Sequence, residues 1–227
     1  MQLVQKKQLL TLNSQFYSQQ ATDFSRTRQQ PWQGWLQLPL AKPSTILDVA
    51  AGNLRFYHFL SSKFSDFDYL GIDSSLPLLQ SSRLPSNYYQ VIDILQALEQ
   101  GRDWCQNLPD KTYSLVVCNG FFHHVPGEDW RLQLLDQLWS MVAPGGQLLV
   151  TFWQFLPELQ HLVVQNLGDD DYLLSWGQQK TPARYAHHFT NSQVDAYRRH
   201  LDSASARLDA DLRADRANRY LLWSKTT

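Results

Sequence analysis

Apolar and polar positions along the chain follow two alternating periods. Between residues 44 and 153, short apolar runs of β character lie at Thr45–Val49, Phe67–Ile72, Tyr88–Ile92, Tyr113–Cys118 and Gln147–Trp153. Stretches with helical spacing separate them. Leu54–Ser62 aligns Phe56, Phe59 and Leu60, a short helix opens at Leu76, and Leu95–Trp104 forms a third. Asp129–Val142 is the clearest, with Leu132, Leu135, Leu138, Trp139 and Val142 on one side, and Pro144-Gly145-Gly146 turns the chain after it. Strands alternating with helices of this length predict βαβ units, hence an α/β fold with a doubly wound, mostly parallel sheet.

The flanks differ. Residues 1–30 are polar and Gln-rich, with Leu3, Val4, Leu9, Leu10, Leu12, Phe16 and Tyr17 spaced for one or two amphipathic helices before Pro31. After Trp153 the alternation breaks. Residues 154–189, with the run Asp169-Asp170-Asp171 and Trp176, read as an inserted cap or loop after the fifth strand. Residues 190–227 read as a helix (Ser192–Leu201) and two closing strands, about Leu208–Arg213 and Arg219–Ser224, paired antiparallel at the edge. The whole is one domain: an N-terminal helical extension (1–43), a core (44–153), the insertion (154–189) and the closing elements (190–227).

A formal net charge of −1 argues against a protein held on nucleic acid by bulk charge, so DNA is not an expected partner and RNA contact requires a local basic patch. Cys105 and Cys118 form no CxxC pair, which leaves neither a metal knuckle nor a disulfide framework. No apolar run approaches the roughly 18 residues that span a bilayer, and no secretory signal opens the chain. A cytoplasmic protein, without membrane or metal, is the expectation.

Ligands of open α/β sheets bind beyond the carboxyl ends of the strands. Polar residues stand at those ends in order: Asp48, Ala50, Gly52 and Asn53 after strand one, Asp73 and Ser74 after strand two, Asp93 and Ile94 after strand three, Asn119 after strand four. Gly52 permits a tight turn and a close approach. Asp73 follows it by about 20 residues, the spacing of a carboxylate that accepts from a ribose. Asp93 suits an exocyclic amine, and the Ile94 N–H a ring nitrogen. Each residue alone has a plainer role, Gly52 as a turn and a single Asp as a helix cap. Together they point to a nucleotide-like ligand.

The order Ile46–Asn53, Gly71-Ile72-Asp73, Val91-Ile92-Asp93, Val116–Gly120 and Val142–Gly146 resembles the Rossmann-like class I S-adenosylmethionine-dependent methyltransferases. The resemblance implies S-adenosyl-L-methionine as cofactor. The family's loop Asp-x-Gly-x-Gly-x-Gly keeps only its middle glycine here, with Ala50 and Leu54 at the outer positions; Leu54 is expected to open the helix and point into the core. A dinucleotide dehydrogenase needs a glycine pattern that seats a pyrophosphate, which one glycine does not supply.

Outside the core, Phe24-Ser25-Arg26-Thr27-Arg28 before Pro31-Trp32, the pair His123-His124, and Arg184-Tyr185-Ala186-His187-His188-Phe189 are similar to motifs of the tRNA wobble-uridine carboxymethyl methyltransferases. That resemblance implies methyl transfer to the carboxylate of a modified tRNA uridine. Arg26, Arg28, Trp32, His123, His124, Arg184, Tyr185 and His187 then become the substrate-binding candidates, and a small zinc-binding activator subunit a partner by resemblance alone. A carboxylate is already ionised at neutral pH, so no residue is assigned as an essential base. By themselves, the arginines also read as helix-terminal charges and the His pair as loop structure. A small-molecule methyltransferase and a non-catalytic interaction protein on the same fold stand as alternatives.

Overall fold

The computed structural model describes residues 1–226 apart from 110, 157, 177–178 and 203–205, and leaves out the side chains of 21, 22, 24 and 179–182. Phe24, quoted among the motif residues above, therefore lies outside the described side chains.

The expected alternation is present. Strands β1 (Thr45–Val49), β2 (Asp68–Asp73), β3 (Tyr89–Val91), β4 (Tyr113–Cys118) and β5 (Val142–Trp153) alternate with helices α3 (Arg55–Ser61), α4 (Leu76–Ser81), α5 (Ile94–Glu99) and α6 (Glu128–Ser140). They follow α1 (Leu3–Arg26) and α2 (Gln33–Gln37). Then come β6 (Val163–Gly168), β7 (Asp171–Trp176), β8 (Gln179–His187), α7 (Asn191–Asp202), β9 (Ala206–Ala214) and β10 (Asn218–Lys225). The main sheet runs β3-β2-β1-β4-β5-β10-β9, with its first five strands parallel and the last two antiparallel. The order reverses between β1 and β4, which places a crevice at their carboxyl ends. β1 sits mid-sheet with Ile46, Leu47 and Val49 almost wholly buried, which is why it reads as a continuous apolar run rather than an alternating one.

Two boundaries move. The helix expected over Leu95–Trp104 ends at Glu99, where Gly101 adopts φ +62°, and a separate single turn covers Trp104–Asn107. Helix α6 ends at Ser140, so Val142 and the Pro-Gly-Gly turn belong to the start of β5.

The insertion is not a loop but a three-stranded antiparallel sheet, β6-β7-β8. Its core is Phe155, Tyr172, Leu174, Ala186 and Ala217. The acidic run is its hairpin turn. Gly168 pairs with Asp171 across Asp169 and Asp170, whose φ values of 51° and 62° give the two left-handed residues a two-residue hairpin demands.

Helix α1 packs across the crevice. Phe16 is fully buried, and buried Lys6 bonds Asp129 at 2.6 Å while lying 4.3 Å from the Trp130 ring. No described helix is long and apolar enough to cross a membrane.

Candidate active site

A cavity of about 1000 Å³ lies at the carboxyl ends of β1–β4 beneath α1. All nine residues expected to hold a cofactor line it. Its floor is the loop after β1. Ala50, Gly52 and Leu54 have φ of 57°, 58° and 57°, so the three positions where the resembled family carries glycine keep a glycine backbone even where the side chain has changed. Leu54 opens α3 as its N-cap and is wholly buried, as expected. It fits because residue 71 is glycine: a Cβ there would lie 2.3 Å from Leu54 Cδ2.

Asp73 ends β2 and is pinned twice, accepting from Gly52 N at 2.9 Å and from Ser75 N at 2.8 Å. Burial raises its pKa, which these backbone donors partly offset. Each carboxylate oxygen keeps a lone pair for a ribose diol. Asp93 caps α5 through Gln96 N at 2.9 Å, the plainer role expected of it, and also lines the cavity. Asp48 is buried, accepts from Tyr69 Oη at 2.6 Å, and is pushed up to about 7 by burial. Neither side-chain polar atom of Asn119 has a partner among the described residues. These carboxylates, a Gly-turn without a phosphate cradle and an unpartnered amide fit S-adenosylmethionine, which carries a ribose and an amino acid but no phosphate.

The second half of the cavity lies under α1 and is lined by Arg28, Trp32, His123, His124 and Arg184. Arg184, on β8, is 6% exposed. Its guanidinium lies 5.1 Å from the Phe16 ring, 5.1 Å from Trp176 and 5.7 Å from Trp153. Its Nε and Nη1 have no hydrogen-bond partner, and it has no carboxylate partner, among the described residues. Desolvation lowers its pKa. Arg28 lies 4.8 Å from the same Trp176 ring and is brought down to about 10, chiefly by burial.

His124 Nδ1 is 2.9 Å from the Tyr185 carbonyl and its Nε2 2.6 Å from Tyr17 Oη. A carbonyl only accepts, so Nδ1 carries the proton and Tyr17 donates to Nε2. Burial, reinforced by Arg184, takes His124 down to about 3, and burial takes His123 well below the usual histidine range. Both imidazoles are neutral.

Three candidates fall elsewhere. Arg26 is exposed, pairs with Asp23 at 3.0 Å, and borders a separate cavity of about 520 Å³ with Arg83. Tyr185 Oη and His187 Nδ1 both bond the buried Asp171, at 2.7 and 2.8 Å, and brace β7 against β8 outside the cavity. Sequence reasoning missed Asn13, Tyr17 and Trp153. Asn13 brackets Tyr185, accepting from its N–H at 2.7 Å and donating to its carbonyl at 3.2 Å. The available signal was a polar residue and a phenol four apart (Asn13, Tyr17) on the buried side of a helix.

Residues 47–148 match the family model described as a methyltransferase domain. The trans-aconitate 2-methyltransferase of Methylobacterium radiotolerans is 25% identical over 129 residues, which is 57% of this chain and 45% of that protein. The tRNA (carboxymethyluridine(34)-5-O)-methyltransferase of Arabidopsis thaliana is 29% identical over 140 residues, 60% of this chain and 31% of that protein. The chain thus spans less than half the length of these curated relatives. Among solved structures, a 1,6-didemethyltoxoflavin-N1-methyltransferase of Burkholderia thailandensis with bound S-adenosylhomocysteine superposes with a TM-score of 0.61 at 13% identity, covering 98% of this chain and 91% of that one. The shared element is the fold.

Proposed function

We propose that this chain, whose core is a class I S-adenosylmethionine-dependent methyltransferase domain, methylates a carboxylate oxygen, and that the acceptor is a carboxymethylated uridine of tRNA. The observation that carries the reading is Arg184: a guanidinium held in a box of three aromatic rings, with two N–H groups unpartnered and no acid beside it among the described residues. An unpaired buried cation is costly to keep, and a carboxylate acceptor would complete it. Arg28, 4.8 Å from the same Trp176 ring, supplies a second cation to the same cavity.

Bound S-adenosylmethionine supplies a methyl group on a sulfonium, so the acceptor oxygen gains a C–O bond as the C–S bond breaks and its electron pair stays on sulfur. No proton needs a home. The neutral His123 and His124 are suited to orienting the acceptor rather than to removing a proton from it. Asp73 and Asp93 would hold the cofactor's hydroxyls and amine, and the unpartnered Asn119 amide lines the same cavity. Both curated relatives above are named for acceptors that carry carboxylates, which supports the acceptor class. The depth of Arg184 beneath α1 favours a second reading, in which the acceptor is a small free acid.

The test is transfer of labelled methyl from S-adenosylmethionine to tRNA carrying carboxymethyluridine and to trans-aconitate. The expected product is an ester, so the label leaves in mild alkali. Arg184→Met lowers the rate by about 100-fold or more, equivalent to roughly 2.7 kcal/mol of lost transition-state binding. An alkali-stable label, or unchanged turnover in Arg184→Met, would falsify the assignment.

A further inference from the structure

Asn53 lines the cofactor cavity, yet its amide nitrogen is committed in the other direction. Nδ2 donates to the Arg28 carbonyl at 3.1 Å and to Ser25 Oγ at 3.3 Å. Ser25 Oγ lies 2.9 Å from Ser81 Oγ on α4, so the contact is anchored at both ends. Two residues further on, Arg55 Nη1 donates to the Gln30 carbonyl at 3.1 Å, with its guanidinium 5.1 Å from the Trp32 ring. The cofactor loop and the first residue of α3 therefore grip the segment 25–32 through two of its carbonyls and the Ser25 hydroxyl. That segment carries Arg28 and Trp32, which face the acceptor half of the cavity. On its other side the same loop presents Gly52 N to Asp73 at 2.9 Å.

We propose that Asn53 is a positioning residue: it transmits the shape of the cofactor loop to Arg28, so that cofactor binding organises the acceptor site. The inference rests on the reading of Arg28 as an acceptor contact. Its physical basis is the loop's backbone. Ala50 and Leu54 hold left-handed conformations that cost L-residues roughly 1–2 kcal/mol each. Such a loop relaxes more readily when nothing is bound against it. A ligand on Gly52 and Asp73 favours the strained shape, and only that shape presents the Asn53 amide to residues 25 and 28. Coupling of this kind is reciprocal, so the acceptor strengthens cofactor binding by the same factor.

The experiment uses S-adenosylhomocysteine as the probe, with calorimetry for affinity and hydrogen exchange for the segment. In the wild-type protein the probe slows amide exchange at 50–54, 73–75 and 25–32. In Asn53→Ala it binds within about threefold of wild type and still slows exchange at 50–54 and 73–75, but no longer at 25–32. Asn53→Asp, which keeps the size and replaces the donor by an acceptor, behaves like Asn53→Ala. In the methyl-transfer assay, Asn53→Ala raises the acceptor KM about tenfold with the cofactor KM within twofold, and adds nothing in an Arg28→Ala background. Retained slowing at 25–32 in both variants overturns the proposal. So does a tenfold loss of probe affinity in Asn53→Ala, which makes Asn53 a cofactor ligand instead. If Arg28→Ala leaves the acceptor KM unchanged, the acceptor reading itself falls; if Arg28→Ala raises it and Asn53→Ala does not, only this inference falls.

Discussion

At the scale of single residues, the cofactor loop shows what a changed motif costs. Ala50 and Leu54 occupy left-handed positions that glycine adopts freely, at φ of 57° in each case. Leu54 recovers part of that cost by burying its whole side chain against Gly71, whereas Ala50 is partly buried and has only a single methyl to cover. Ala50→Gly is therefore expected to stabilise the protein by about 0.5–1 kcal/mol, relief of strain exceeding glycine's extra chain entropy. Urea unfolding measures it, and a loss of stability sinks the idea that the residue is strained. The acids at the strand ends were legible in the sequence because strand ends are set by local pattern. Which arginine enters the cavity was not. Arg26 is the last residue of α1 and Arg28 lies just beyond its C-cap, and where the chain leaves the helix one side chain is on the surface and the other against Trp176.

Among the elements, α1 decides whether the acceptor half exists at all. It roofs the cavity and is tied down by a side chain acting as a strand edge: Asn13 takes both the N–H and the C=O of Tyr185 on β8. Tyr17 adds its bond to His124. Asn13→Ala removes both bracket bonds; the buried Tyr185 N–H loses its Asn13 partner while the carbonyl keeps His124 Nδ1, a cost of about 1–3 kcal/mol. The expected result is faster amide exchange throughout 10–20 and an acceptor KM raised more than the cofactor KM. Exchange at 10–20 equal to wild type would show that packing of Phe16, not the bracket, holds the helix. The strands and helices of the core were readable from period because each buries its own face. The β6-β7-β8 sheet was not, because its outer strand is largely exposed and its turn is made of acids that look like a solvated loop. Asn13 escaped notice for a related reason: its partners are backbone atoms 172 residues away, which no local pattern encodes.

For the whole molecule, the question is how a chain of net charge −1 would hold a polyanion. Bulk attraction is absent, so any affinity for tRNA would have to come from a few placed cations. Arg184 lies too deep to meet the phosphate backbone of a folded RNA, and Arg28 packs against the same Trp176 ring. Arg26 and Arg83 are exposed at a neighbouring cavity of about 520 Å³, which shares Pro77 with the main one. If the acceptor is a nucleotide of tRNA, this exposed pair is available to its flanking phosphates. Two phosphate contacts to unpaired RNA give a log–log salt dependence of binding of about −1.4. Changing both residues, Arg26→Glu with Arg83→Glu, is expected to raise the KM for tRNA by roughly tenfold or more and to flatten that slope. The KM for trans-aconitate stays within twofold, since neither side chain reaches the acceptor pocket. Equal loss on both acceptors would mean that the charges act through the fold. No loss on tRNA would leave the buried arginines alone at work, and the small free acid would then be the better account of what this enclosed site accepts.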